Sequence, residues 1–421
     1  MNDAAPEPPE LFTWEFATDP YPAYAWLREH APVHRTRLPS GVEAWLVTRY
    51  GDARQALADQ RLSKNPAHHD EPAHAKGKTG IPGERKAELM THLLNIDPPD
   101  HTRLRRLVSK AFTPRRVAEF APRVQELTGR LIDTIVAKQD GAAQGEADLI
   151  HEFAFPLPIY AICDMLGVPP EDQDDFRDWA GMMIRHGGGP RGGVARSVKK
   201  MRGYLAELIH RKREAPGDDL ISGLIKASDH GEHLTENEAA AMAFILLFAG
   251  FETTVNLIGN GVYALLRHPE QRARLQASLA AGDSTLLETG VEELLRFDGP
   301  VELATWRFAT EPLTLGGQDI GVGDPVLVVL AAADRDPDRF PGPDVLDLAR
   351  RDNQHLGYGH GIHYCLGAPL ARLEGQTALA TLLTRLPDLQ LAVDPSELRW
   401  RGGLIMRGLR TLPVRFTSQT S

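Results

Sequence analysis

The chain has 421 residues, 42% apolar and 25% charged, with a formal net charge of −10. That length can bury a large core, the composition is that of a soluble globular protein, and the mildly acidic balance argues against nucleic acid as the main partner. The two cysteines, Cys163 and Cys365, lie far apart, which excludes a disulfide framework and fits a reducing cytosol.

Residues 1–10 carry neither a basic segment nor an apolar stretch, so they read as a disordered tail and not as a signal or an anchor. Helices over residues 20–30 and 50–59 are expected around a strand pair near Val33–Arg37 and Glu43–Thr48. Asn65 to Lys86 is rich in Pro, Gly, His and charge and predicts a mobile loop. From Asp100 to about Arg213 the pattern is helical, with breaks at Pro114, Pro156/Pro158 and Pro169-Pro170. Cys163 falls in an apolar run there and reads as inert core. The string Gly187-x-Gly189-x-x-Gly192 matches a dinucleotide fingerprint, but no strand precedes it and Pro190 interrupts it. A hinge between two helices, over a binding cavity, is the better reading.

Thr235-Glu-Asn-Glu238 is a capping box, and the helix it opens can run to Arg267-His268, where Pro269 stops it. That is about 33 residues, or roughly 50 Å. Ala239 to Phe251 is free of charge but too short for the ~20 residues of a membrane span, and Glu252, Asn256 and Asn260 follow. A central buried helix is therefore expected. Helices near 270–280 and 285–297 come next, then strands at Glu302–Phe308, Leu313–Leu315 and Pro325–Leu330. Asp334 to Asn353 is irregular, and short strands close the chain near Leu389–Val393, Leu404–Met406 and Leu412–Phe416. With no repeat and no linker, residues 11–417 read as one mainly α domain with minor β structure, followed by a tail at 418–421.

Four stretches carry chemistry. His355-Leu-Gly-Tyr-Gly-His-Gly-Ile-His-Tyr-Cys365 is a glycine loop able to approach a flat object, and a helix follows it. A cysteine at a helix N-terminus favours the thiolate, and with no second sulfur nearby this one suits an axial haem ligand. A buried structural cysteine beside a glycine turn is the competing reading. In Ala249-Gly-Phe-Glu-Thr-Thr254, Gly250 would let a ligand approach the helix backbone, and Glu252 with Thr253 could relay protons. The alternative is a polar patch satisfied by neighbouring helices. Glu293-Leu-Leu-Arg296 sets opposite charges at i, i+3, most often a solvated surface pair. His101-Thr-Arg-Leu-Arg105-Arg106 opens a helix whose His101 and Arg105 could grip one anionic group. From His101 to Arg116 the chain has cations and no acid: either a solvated basic face or a surface that docks an acidic protein.

In this order the motifs resemble the cytochrome P-450 family of haem-thiolate monooxygenases in its soluble bacterial form, from about Pro20 to Phe416. The nearest likeness is to actinobacterial members that oxidise macrolides and other secondary metabolites, carried by Asp97-Pro-Pro-Asp-His-Thr-Arg103, His233-Leu-Thr-Glu236 and Thr254-Val-Asn-Leu-Ile258. The resemblance implies a cytoplasmic enzyme with haem b ligated by Cys365. It implies propionate contacts from His101, Arg105, Arg307 and His363, with Ala249, Gly250, Tyr358, Gly359 and Gly367 also against the cofactor. Thr253 would be the oxygen-activating alcohol and Glu252 its acidic partner. Glu293 and Arg296 would be a buried structural pair, completed by Arg339 or His360. Leu93, Leu94, Ala243, Leu246, Leu247, Val301, Leu303, Ile405 and Met406 would wall a pocket for a large hydrophobic substrate. A macrolide-like polyketide leads, ahead of a terpenoid or steroid, for hydroxylation or epoxidation with O2. No flavin or NAD motif is present, so a ferredoxin and its reductase would supply electrons, docking on Arg103, Arg106, Lys110, Arg115 and Arg116. One departure stands out: the family's loop usually has Phe where this chain has Tyr358. A haem-thiolate sensor or carrier without turnover, and a helical scaffold without haem, are the alternatives from other classes.

Overall fold

The computed structural model describes residues 9–68, 92–138, 144–184, 193–229 and 231–417. The loop expected at 65–86 and the hinge at 185–193 fall largely outside these residues, as do both tails.

Everything else is arranged about the helix Glu236–Arg267, 32 residues long. Both halves of its capping box form: Glu238 N donates to Thr235 Oγ1 at 3.2 Å, and Thr235 N donates to the Glu238 carboxylate at 2.8 Å. It ends where Pro269 opens the next helix, Pro269–Ala280, because proline cannot donate to the preceding turn. By length and composition this helix could cross a membrane, but most of its apolar window is buried within the fold. Its neighbours are the helices Pro156–Leu166, Thr285–Asp298 and Ala368–Arg385. Gly259 permits a close approach: a Cβ there would stand 2.5 Å from Ile150 Cδ1. Cys163 is fully buried on Pro156–Leu166, and burial pushes its thiol well up, so it is inert core as expected.

A five-stranded sheet stands to one side, in the order Val33–Arg37, Glu43–Val47, Pro325–Val328, Arg307–Ala309, Leu62–Ser63. The expected first pair is antiparallel, with Val33 opposite Val47, while Glu43–Val47 runs parallel to Pro325–Val328. A second sheet joins Gln390–Leu391 and Pro413–Phe416 to Gly145–Asp148. The strand expected over Glu302–Phe308 shrinks to Arg307–Ala309. The cause is competition for the backbone. The amides of Glu302 and Leu303 donate to the Ile405 carbonyl, and buried Lys64 donates to the carbonyls of Thr305 (2.9 Å) and Trp306 (2.6 Å). The strand expected at Leu404–Met406 is likewise reduced to a single bridge, Met406 to Val301.

Glu293 and Arg296 are fully buried, joined by two hydrogen bonds of 2.8 Å. The surface-pair reading fails for them. Neither Arg339 nor His360 completes the cluster: Arg339 pairs with Asp352, and His360 accepts from Arg54. Arg350 completes it, 3.0 Å from Glu293, and Arg296 also donates to the carbonyls of Asp334 and Pro343. The cluster thus pins the irregular 334–353 stretch to the helix Thr285–Asp298. Losing one partner of so buried a pair would leave an uncompensated charge, at a cost of roughly 3–5 kcal/mol.

Candidate active site

The cysteine loop turns back on itself through Gly359 and Gly361, both at φ 75°, a left-handed conformation open to glycine. The Cys365 amide then donates to the Tyr358 carbonyl at 2.9 Å, closing the loop. The helix Ala368–Arg385 starts three residues after Cys365, and Pro369 in its first turn suits a position with no acceptor for an N–H. The thiol faces an interior cavity. Its surroundings only partly match the expected thiolate-stabilising site: burial pushes the thiol above its ordinary value. The backbone N–H groups of Gly367 and Ala368 and the guanidinium groups of Arg105 and Arg372 work against that rise. Coordination to a metal, which removes the thiol proton, is what would make the anion here.

That cavity has an empty volume of about 1490 Å³, part of it open to solvent. Met242, Ile245, Leu246, Ala249, Gly250 and Thr253 form one stripe of the central helix along it, at spacings of three and four. Leu93, Leu94 and Val301 line it from other elements, as expected. Ala243, Leu247 and Leu303 do not: the first two lie off the stripe, and all three are buried in the core. Ile405 and Met406 also stand back from it, in the bridge to Val301. Ile162, Met242, Ile245 and Ala304 are walls that the sequence reading did not name. The helical period starting from Thr253 would have found Met242 and Ile245.

Four basic groups meet at one end of the cavity. The rings of His101 and His363 are 4.3 Å apart, and Arg105 and Arg307 join them on the cavity wall. Both ring nitrogens of buried His101 lack a hydrogen-bond partner. His363 Nδ1 reaches the Leu93 carbonyl at 3.2 Å, and Arg307 donates to the Leu57 carbonyl at 3.1 Å. Burial, then the charges of Lys64, His101 and Arg307, hold His363 down to about 2. Burial also lowers Arg307 to about 10, against the opposing pull of Asp97. Asp97 itself is engaged by Ser63 and the Lys64 amide. Buried cations and orphaned imidazole nitrogens of this kind are stabilised by an anion among them. A flat prosthetic group carrying two carboxylates at its edge, above a thiol, fits this donor set.

On the far side of the thiol, Arg372 lies 4.5 Å over the Tyr358 ring and forms a bidentate pair with Glu292, 2.7 Å to each oxygen. Burial raises Glu292, but Arg372 and His355 outweigh it and hold the carboxylate at about 2. The Tyr358 hydroxyl, expected to find a partner, has none although the residue is buried. Tyr358→Phe should therefore raise stability by roughly 1–3 kcal/mol, the cost of an unmade buried hydrogen bond. The denaturant midpoint of the two proteins measures it, and an unchanged or lower midpoint would mean that the hydroxyl is bonded after all.

Thr253 Oγ1 donates to the Ala249 carbonyl at 2.8 Å and faces the cavity. Glu252 is buried and lies 4.0 Å from Arg401. Glu374 is a second acid that the sequence reading left without a role. It lines the cavity nine positions after Cys365, neither carboxyl oxygen has a hydrogen-bond partner, and burial pushes it up to about 8, with Thr254 opposing. At neutral pH it holds a proton. Between pH 4.5 and about 8 the folded chain thus keeps a proton that the unfolded chain releases, so this group weakens the fold as pH rises through that window.

The basic run changes character in three dimensions. Arg103 pairs with Glu238, Arg116 with Asp218 and Arg106 with Glu232, acids distant in sequence, and Arg115 pairs with Glu119 one turn on, so much of the run is neutralised.

The family model for Cytochrome P450 matches residues 191–391. The chain is 49% identical to cytochrome P450 monooxygenase PikC of Streptomyces venezuelae, over 96% of this chain and 92% of that one. It is 44% identical to the vitamin D(3) 25-hydroxylase of Pseudonocardia autotrophica, over 98% of each. Among solved structures, the bacillaene polyketide synthase cytochrome P450 PksS of Bacillus subtilis superposes with a TM-score of 0.86 at 37% identity, over 97% of this chain and 99% of that one.

Proposed function

This chain belongs to the cytochrome P450 family, and from that premise we propose that it inserts one atom of O2 into a large hydrophobic natural product of polyketide, macrolide-like type, with electrons from a ferredoxin. It is a monooxygenase that binds haem through a cysteine thiolate and acts with a redox partner. A sensor without turnover and a scaffold without haem are thereby excluded. What carries the substrate reading is the cavity wall, whose distal part is a continuous apolar surface built from Leu93, Leu94, Ile162, Met242, Ile245 and Leu246. The similarity to a polyketide-pathway enzyme supports it. Of the expected docking cations, Arg103, Arg115 and Arg116 are ion-paired within the chain. Two unpaired cysteines support a cytoplasmic location.

In this reading Cys365 ligates the iron, and His101, Arg105, Arg307 and His363 hold the two propionates, which supply the anion that this buried cluster lacks. The bound haem supplies oxygen activation, aided by electron donation from the thiolate. The protein supplies position, dryness and protons. Ala249 and Gly250 present a flat, small-residue stretch of helix to the reacting volume. Thr253, whose hydroxyl hydrogen is turned to Ala249, presents an acceptor to the cavity; rotating it off that carbonyl makes it a donor. Glu252 restores the proton that Thr253 passes on, and the leucine and isoleucine walls keep bulk water from competing.

A spectral titration of the ferric enzyme against macrolactones, sterols and terpenoids tests the substrate class. Macrolactones should move the Soret band to shorter wavelength at the lowest concentrations. The runner-up is a sterol-like ligand, favoured by 44% identity to a vitamin D(3) 25-hydroxylase. Tighter binding of sterols would replace the first reading by that one.

A further inference from the structure

Away from the cavity, the central helix carries a second line of polar side chains at intervals of four: Glu252, Asn256 and Asn260, all buried. They meet the loop 400–409, which is closed by the Trp400–Leu409 bridge and by Arg401 N donating to the Gly408 carbonyl at 2.8 Å. Asn260 is satisfied there, donating to the carbonyls of Asp298 and Arg407 at 3.1 Å each. Asn256 is not. It is 1% exposed, and neither its amide oxygen nor its amide nitrogen has a partner. The Gly408 backbone lies so close that a Cβ there would stand 2.1 Å from Asn256 Oδ1. Arg401 Nη1 is also buried without a hydrogen bond, 4.0 Å from Glu252 Oε1. Buried polar groups left open by the protein are bonded to ordered water as a rule, and both Asn256 and Arg401 Nη1 are such groups.

Thr253 lies on the cavity wall, whereas Glu252 and Asn256 do not. A proton reaching Glu252 from the 400–409 side would therefore not cross the substrate space. We propose that Arg401 and Asn256 are positioning residues for Glu252: Arg401 fixes and charges the carboxylate, and Asn256 with Arg401 Nη1 holds the water that re-protonates it from the 400–409 side. This rests on the reading of Glu252 as the acidic partner of Thr253. For each proton Glu252 gives toward Thr253, one passes to it from this water, which takes one in turn from solvent on the 400–409 side, so carboxylate and water are both unchanged over a cycle. Arg401 faces Glu252 directly; Arg410 and Asp148 act on Arg401 from behind, and Glu374 stands across Thr254 on the cavity side.

The test uses haem-loaded enzyme with a surrogate redox pair, comparing Glu252→Gln, Arg401→Gln, Arg401→Lys and Asn256→Leu. Product formed per electron pair, its pH profile, the solvent deuterium isotope effect and the melting curve are read for each. Glu252→Gln should uncouple turnover. Arg401→Gln should move the pH limb set by Glu252 upward, because a carboxylate that loses its cation holds its proton more tightly, and Arg401→Lys should restore it. Asn256→Leu should lower coupling several-fold and enlarge the isotope effect at an unchanged melting temperature. A high-resolution crystal structure should place water on Asn256 and Arg401 Nη1. If Glu252→Gln uncouples while Asn256→Leu and Arg401→Gln keep the wild-type profile, or if that site is dry, the inference is wrong and the role of Glu252 survives. If Glu252→Gln stays coupled, both fall. Should Arg401→Gln fail to fold, Arg401→Lys and Asn256→Leu decide: wild-type coupling in Asn256→Leu overturns the inference.

Discussion

Thr253→Ala is expected to bind haem and substrate as the parent does, yet to lose most product while still consuming electrons. The hydroxyl is a polar group that the central helix turns into the cavity beside Gly250, with its hydrogen held by the Ala249 carbonyl 2.8 Å away. Alanine removes the hydroxyl, a donor and an acceptor, together with one small γ-methyl group. Loss of a positioned proton-transfer group costs on the order of 10²-fold in the step it serves. Electrons that no longer reach product should appear as peroxide or water. Substrate-induced spectral shifts and haem content serve as controls. Coupling equal to that of the parent would remove Thr253 from the mechanism and turn attention to Glu374, the other protonated group on the cavity wall.

What could be read from the chain was set by how local the determining physics is. The central helix was legible because its start is a capping box within four residues and its stop is a proline. The pairing of Val33–Arg37 with Glu43–Val47 was legible for the same reason. The Glu302–Phe308 segment has strand composition, but Lys64 and Ile405, distant in sequence, claim its backbone groups. Arg350 escaped notice because only the folded path of residues 334–353 brings it to Glu293. Ala243 and Leu247 were placed on the cavity by analogy, whereas the stripe through Met242, Ile245, Leu246 and Ala249 sets them off to the side. The basic run looked uncompensated because its acids, Asp218, Glu232 and Glu238, come from elsewhere in the chain. The cysteine helix suggested a thiolate by local electrostatics alone. In the fold the residue is exposed to the cavity, and desolvation by the surrounding protein pushes the thiol the other way.

The central claim is that Cys365 is the sulfur that holds the iron. It faces the cavity between four basic groups and the apolar stripe, whereas Cys163 is sealed in the core of Pro156–Leu166 with its thiol strongly raised by burial. The direct measurement is the carbon monoxide difference spectrum of the reduced protein, for the parent and for Cys365→Ser. The parent should show the red-shifted Soret band of thiolate-ligated haem. Cys365→Ser should lose that band entirely, because serine offers no sulfur and no other thiol lines the cavity among the described residues. A parent without the band, or a Cys365→Ser protein that keeps it, would contradict the assignment.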